Sequence, residues 1–466
     1  MNLINAHSNP SAAGPGQKLG LTEVIGYGLG DTACAFALTT VNTYLMLFLT
    51  DVYGLDIGQV GAILMIVRLL DACASPLIGS RIDTIKSTQR YKKVILIGAL
   101  PTAAFSIACF FAPPLSQGGK LIYAFASYAG VCLLYTAVNT SYSSLSTVLT
   151  EDVDDRNRLT GVRLFLANIG NICLTLGVPM LAAYFGRSSV IYGYRISAVI
   201  FGTAAVILLL ITYSTTTIRI QIPPSESGIH VREIIETLTS NKPLLLICPI
   251  FTITFINCTI VGPVGTYFVK YNLGREEMIG IFTLCSSLPG IITTALVPSL
   301  AARFNKRDIL IVSHLVSLAG LLGMLLTPRH LFGVILCFRL LSAAGATMIM
   351  GVIWNIAPDL TDYGEYISHK RLSAVIYAII GLFYKMGAAI AGIIPSLIMG
   401  MTGYAANQEQ TAEALQGITF TFLWIPILLT IAALIPLHFY KLDNEMTRRI
   451  SVELAQRRAS EGSDRR

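Results

Sequence analysis

Runs of about twenty apolar residues, the length a helix needs to cross a bilayer, recur twelve times along this chain. They fall near 24–50, 58–80, 94–112, 121–149, 162–185, 195–218, 244–270, 278–302, 309–327, 331–357, 372–400 and 413–440. In hydrocarbon every backbone N–H and C=O must be satisfied internally, so runs of this length select helices. The chain therefore reads as an all-α membrane protein. Only 13% of its 466 residues are charged, against roughly 25% in soluble domains. The first twenty residues are polar and rich in Gly, Pro and Ser, with no apolar segment. That predicts a cytoplasmic tail, not a cleaved signal peptide.

Basic residues set the orientation. With both termini cytoplasmic, the outer segments hold only Lys120, Arg187, Arg195, Lys270, Arg275 and Arg329 of the 33 basic residues, and most of the others lie inside. This satisfies the positive-inside rule. The net charge of +7 is thus a topology signal and implies no nucleic-acid partner. Nine cysteines without CxxC or Cys/His spacing read as packing residues, so no metal site is expected.

Two cytoplasmic stretches recur at a nearly constant offset. Lys92-Lys93-Val94-Ile95-Leu96-Ile97 matches Lys306-Arg307-Asp308-Ile309-Leu310-Ile311, and Arg158-Leu159-Thr160-Gly161-Val162 matches Arg371-Leu372-Ser373-Ala374-Val375. Six spans per half, inserted the same way, form the parallel repeat of a major-facilitator carrier with its site between the halves near midplane. The expected divisions are a tail over 1–22, a six-helix bundle over 23–218, a linker over 219–243 with an amphipathic piece near Val231–Leu238, a second bundle over 244–440 and a tail over 441–466.

Charges inside the spans point to the chemistry. A charge at mid-membrane costs roughly 2.5–3.5 kcal/mol and persists where it meets a partner or a wet cavity. In span 2, Arg68, Asp71 and Ser75 share one helical face. A lone intramembrane carboxylate suits proton coupling, because burial favours the neutral form and a nearby cation the charged one. With Ser75 and a further hydroxyl it could instead hold sodium, and a plain Arg68–Asp71 ion pair is the structural alternative. Lys385, deep in span 11, needs a carboxylate across the cavity, with Asp71 the first candidate. Asp31, sharing a face with Asn42, suits a substrate hydroxyl or a basic neighbour. Thr136, Asn139 and Ser143 form a polar stripe in span 4 that suits sugar hydroxyls, an ion or interhelical bonds. Arg163, Asn168 and Asn171 lie on span 5. Arg339, near the outer end of span 10, reads as snorkelling. Charged inner loops carrying Asp83, Arg156, Asp362, Glu365 and Arg371 are read as gates between the halves.

In Tyr27-Gly28-Leu29-Gly30-Asp31, Thr50-Asp51-Val52-Tyr53-Gly54, Arg68-Leu69-Leu70-Asp71-Ala72, Tyr135-Thr136 with Asn139, and Asp362-Tyr363-Gly364-Glu365-Tyr366, the chain resembles the glycoside-pentoside-hexuronide:cation symporter family. That is the group of the melibiose permease and the glucuronide carrier, and Gly403-Tyr404-Ala405-Ala406-Asn407-Gln408 is similar to the latter. The resemblance implies that Asp71 belongs to the cation site and that Thr136 adds an oxygen to it. It further implies that Asn139, Arg163 and Lys385 line the sugar and cation cavity. Three departures bear on specificity. Ala35 and Ser75 stand where melibiose-type members carry Asp, which speaks against a galactoside and favours protons over sodium. Ser143 replaces a Trp, leaving sugar stacking to Tyr142 or Trp354.

The resulting expectation is twelve transmembrane helices in two six-helix bundles, importing a glycoside or glucuronide-like sugar acid with a proton or, less favoured, sodium. No other cofactor is expected. The protein is read as a monomer of the bacterial inner membrane. HExxH, GxSxG and phosphate-binding glycine loops are absent from the sequence, which argues against an enzyme. A carrier of a nucleoside, peptide or lipid, or a non-transporting sensor, remains the alternative.

Overall fold

The computed structural model describes residues 19–85, 87, 89–150, 153–186, 189–220, 231–368 and 373–463, and the regular elements among them are helical. Twelve helical segments are long and apolar enough to cross a membrane. The first half holds α1 (Leu21–Leu47), α2 (Ile57–Thr84), α3 (Arg90–Ala108), α4 (Gln117–Leu149), α5 (Val153–Phe185) and α6 (Val190–Thr215). A short amphipathic helix, α7 (Val231–Ser240), packs on α8 and α12. The second half holds α8 (Lys242–Tyr267), α9 (Ile279–Arg303), α10 (Lys306–Leu326), α11 (Phe332–Ser368) and α12 (Ser373–Met401). It ends with α13 (Ala412–Thr419), which runs through a π-helical turn into α14 (Ile425–Phe439), and with α15 (Asn444–Ser463) against α11.

Side chains close the helix ends that the chain leaves open. Asp56 starts α2 by accepting from the amides of Gly58 and Gln59 at 2.9 and 3.2 Å, and Asn241 starts α8 by accepting from Leu244 N at 3.0 Å. Each satisfies orphan first-turn donors. Beyond α6, Arg219 clasps Glu23 through both terminal nitrogens at 2.7 and 2.8 Å. That hydrogen bonding raises the Arg219 pKa above its ordinary value.

The halves pack as two bundles. In the first, α1 lies on α5 and α6, α3 on α4 and α6, and α2 on α4; in the second, α11 lies on α9 and α10, and α8 on α12 and α14. They meet along α2–α12, α5–α9 and α1–α8. At the α2–α12 seam a Cβ on Gly61 would fall 1.5 Å from Ser396 Oγ, so a glycine is what permits this approach. The repeat is visible in the backbone as well. Both α1 and α8 end in π-helical turns, Phe48–Val52 and Phe268–Asn272, each followed by a left-handed glycine, Gly54 at φ 74° and Gly274 at φ 61°.

These two turns bolt the bundles together at the end remote from the termini. The Asp51 carboxylate accepts from Lys270 Nζ at 2.7 Å, Thr50 Oγ1 at 2.8 Å, Tyr271 OH and Tyr404 OH, and Asn407 reaches the Asp51 carbonyl. Thr50 also meets Tyr267 OH at 2.8 Å. Burial pushes the Tyr404 phenol well above its ordinary pKa, with Tyr267 and the Asp51 charge adding to the shift, so it remains a donor.

The expected inner loops are largely helix. Pro358–Tyr366 continues α11, whose 37 residues span about 55 Å at 1.5 Å per residue, well beyond a hydrocarbon core of about 30 Å. Asp362 and Glu365 sit on those projecting turns. Asp83 falls in the last turn of α2 and Arg156 in the first of α5. The side chains of Asp83 and Arg156, and the whole of Arg371, lie outside the described residues.

Candidate substrate and cation site

A two-lobed chamber lies between the bundles, its lobes sharing Thr39, Thr43, Cys258 and Gly262. The first lobe, about 490 Å³, is lined by Asn42, Arg68, Asp71, Ser75, Thr136 and Asn139 from one bundle and Tyr384 and Lys385 from the other. Asp71, 7% exposed, accepts from Thr136 Oγ1 at 2.5 Å on one oxygen and from Lys385 Nζ at 3.1 Å on the other. Lys385 Nζ donates to Ser75 Oγ as well. The intramembrane lysine and carboxylate thus meet across the seam, as the sequence leads one to expect. Arg68 turns to Asn42 Oδ1 and lies over the Tyr128 ring at 5.9 Å, so the Arg68–Asp71 ion pair gives way to a pair between bundles.

Four expected substrate residues stand elsewhere. Tyr142 is fully buried, stacked on Tyr27 at 4.8 Å and donating its hydroxyl to Tyr27 O at 2.8 Å; it lines neither lobe. Trp354 also lines neither lobe, packing edge-on against Phe251, Phe255 and Tyr384, so it backs the Tyr384 ring that does face the chamber. Asp31 and Arg163 are bonded to each other, Nε to Oδ2 at 3.0 Å, with the guanidinium 5.2 Å above Tyr142. Of the readings left open for Asp31, the structure shows the basic neighbour. Ser143 lies off the lining, while Thr136 and Asn139 of the same stripe are on it.

The second lobe, about 410 Å³, was largely hidden in the sequence. Asn168, Asn171, Asn257, Ser286, Thr347 and Arg339 are among its lining residues. Arg339 does not snorkel. It is 4% exposed, donates to Ser286 Oγ, and lies 5.3 and 5.6 Å from the Phe282 and Phe422 ring centres. Two aromatic faces hold the guanidinium inward. The available signal was an arginine within an apolar run whose neighbours in the fold, far off in sequence, are aromatic.

Two helical bundles around a polar chamber, with a buried ion pair on their seam, define a membrane carrier. The chain belongs to the MFS/sugar transport protein family, which it matches over residues 26–444. It is 37% identical over 444 residues to a symporter of Bacillus subtilis (strain 168), YnaJ, covering 95% of this chain and 96% of that one. It is 30% identical to the isoprimeverose transporter of Lactiplantibacillus pentosus, covering 95% and 93%. Among solved structures, a bacterial homolog of the human lysosomal transporter Spinster superposes with a TM-score of 0.66 at 13% identity, over 92% of this chain and 97% of that one. The fold is that of the major facilitators, and the protein is an integral, multi-pass transporter, not an enzyme.

Proposed function

We propose that this carrier imports a glycoside or sugar acid by cation symport, with a proton as the coupling ion. The family and the names of its relatives support sugar and symport. The observation that carries the choice of ion is the position of Lys385. Its ammonium touches both Asp71 and Ser75, occupying the corner where sodium would need several oxygens. A proton needs no such corner. Protonating Asp71 removes the attraction holding Lys385, and the seam between α2 and α12 loosens. Proton and sugar binding are then coupled reciprocally through one rearrangement of the bundles.

In this reading the segments 23–218 and 244–440 move as units joined by 219–243. The helix extensions bearing Asp83, Arg156, Asp362 and Glu365, with Arg371, latch them on the cytoplasmic side. Both termini are cytoplasmic, the membrane is the bacterial inner membrane, and the carrier is a monomer. Proteoliposome uptake of methyl β-D-glucoside and methyl β-D-glucuronide, under a pH gradient or a sodium gradient alone, tests the proposal. Accumulation driven by the pH gradient is expected. Accumulation driven only by sodium overturns the choice of ion, and no accumulation of either sugar overturns the carrier's substrate class.

A further inference from the structure

Arg339 is a buried cation in a membrane helix without a carboxylate beside it. Among the described residues, the first lobe holds Asp71 beside Arg68 and Lys385, whereas no Asp or Glu lines the second. The Arg163 charge is already matched by Asp31. A guanidinium offers five donors in a planar fork; here one hydroxyl takes one of them, and Nε has no hydrogen-bond partner. An unmatched charge at this depth is costly and marks a functional site.

The surrounding wall has the complementary deficit. Asn171, Asn257 and Thr254 line the same lobe, and their Oδ1, Oδ1 and Oγ1 atoms are buried without partners. Buried polar atoms in folded proteins are nearly always satisfied. The amide oxygens require donors, and the guanidinium requires an anionic acceptor. Hydroxyls supply the first and an oxyanion supplies the second. The volume, about 410 Å³, is within the range of small-molecule sites.

We propose that the second lobe receives the acidic group of the transported sugar, a carboxylate or sulfonate held by the Arg339 fork, with ring hydroxyls donating to Asn171 and Asn257. This rests on the carrier reading above and deepens it by assigning the substrate's charge and the residue that selects it. Arg339 is then a specificity-determining residue, distinct from the Asp71–Lys385 pair that couples the ion. A planar anion on a planar fork is geometrically selective, which a lysine ammonium would not reproduce fully.

The test uses the full chain in lipid nanodiscs and isothermal titration calorimetry with methyl β-D-glucuronide and methyl β-D-glucoside, which differ by a carboxylate. Wild type is expected to prefer the glucuronide. Arg339→Gln should weaken glucuronide about 10-fold or more, the worth of a charge-assisted hydrogen bond, and glucoside much less, with Arg339→Lys intermediate. Asn257→Asp, which places a competing carboxylate in the lobe and keeps the arginine, should lower glucuronide affinity selectively even if Arg339→Gln does not fold. Equal losses for both sugars, or unchanged glucuronide binding in these variants, overturn the proposal. If wild-type proteoliposomes accumulate glucoside while glucuronide binding ignores Arg339, this inference fails and the carrier reading stands. If neither sugar is accumulated yet glucuronide binding depends on Arg339, the site stands and the transport reading fails.

Discussion

Lys385 Nζ and Asp71 Oδ2 stand 3.1 Å apart across the α2–α12 seam, each contributed by a different bundle. A buried pair of this kind adds little net stability, because desolvation offsets most of its attraction. Removing one partner is costly, because it strands the other charge. The pair is therefore well suited to a switch: a single proton on the carboxylate changes whether the two bundles attract each other at midplane.

Asp71→Asn fixes the carboxylate in a neutral, proton-like form. Under an inward pH gradient, vesicles carrying this variant should lose uphill accumulation while keeping sugar exchange down a gradient. A variant that still concentrates sugar would remove Asp71 from the coupling step.

Lys385→Ala empties the corner held by the ammonium and leaves Asp71, Ser75 and Thr136 oxygens facing each other. Sodium should then raise the Tm of the variant, with no comparable rise in wild type, and proton-driven accumulation should fall. Thermal denaturation in sodium chloride against choline chloride reads this directly. Identical sodium responses in the two proteins would count against the ammonium as a tethered stand-in for a cation.

Asp51→Ala leaves Lys270 without its nearest carboxylate and Tyr271 and Tyr404 without their acceptor. Glu276 at 3.8 Å and Asn407 Oδ1 at 3.0 Å stay beside the partly buried Lys270, so the cost is less than the roughly 3–5 kcal/mol of a fully stranded buried charge, and it falls on the state in which this end is closed. Hydrogen exchange should rise in the Phe48–Val52 and Phe268–Asn272 turns and in the 402–411 loop, while the α3–α4 packing is unaffected. Exchange unchanged in all three segments would show that Asp51 does not hold that end shut.

The architecture was legible because lipid enforces it: each apolar run had one way to satisfy its backbone, and the recurrence of Lys92-Lys93 as Lys306-Arg307 announced the two halves. The Asp71–Lys385 pair was legible for the same reason, since two opposite charges sunk in hydrocarbon had to find each other. Helical periodicity placed Thr136 and Asn139 correctly but could not say that Tyr142, on the same helix, would turn back to stack on Tyr27. Arg339 was misplaced because depth along a span was taken as direction; the rings of Phe282 and Phe422, remote in sequence, set its direction. The inner loop expected to carry Asp362 and Glu365 is instead a continuation of α11, which runs through Pro358.

The Asp31–Arg163 pair separates a structural from a substrate role by experiment. Their side chains are 17% and 28% exposed and bonded at 3.0 Å, and the guanidinium is braced by Tyr142, which is itself fully buried. With both charges engaged away from the chamber lining, Asp31→Asn should lower Tm by leaving Arg163 without its carboxylate, a loss on the order of 1–2 kcal/mol for a partly exposed pair. The double variant Asp31→Asn with Arg163→Gln should recover part of that loss, since no charge is then stranded. KM for the sugar should move little in either protein. A large rise in KM without a change in Tm would place Asp31 on the substrate after all, and would mean that the pair opens during the transport cycle.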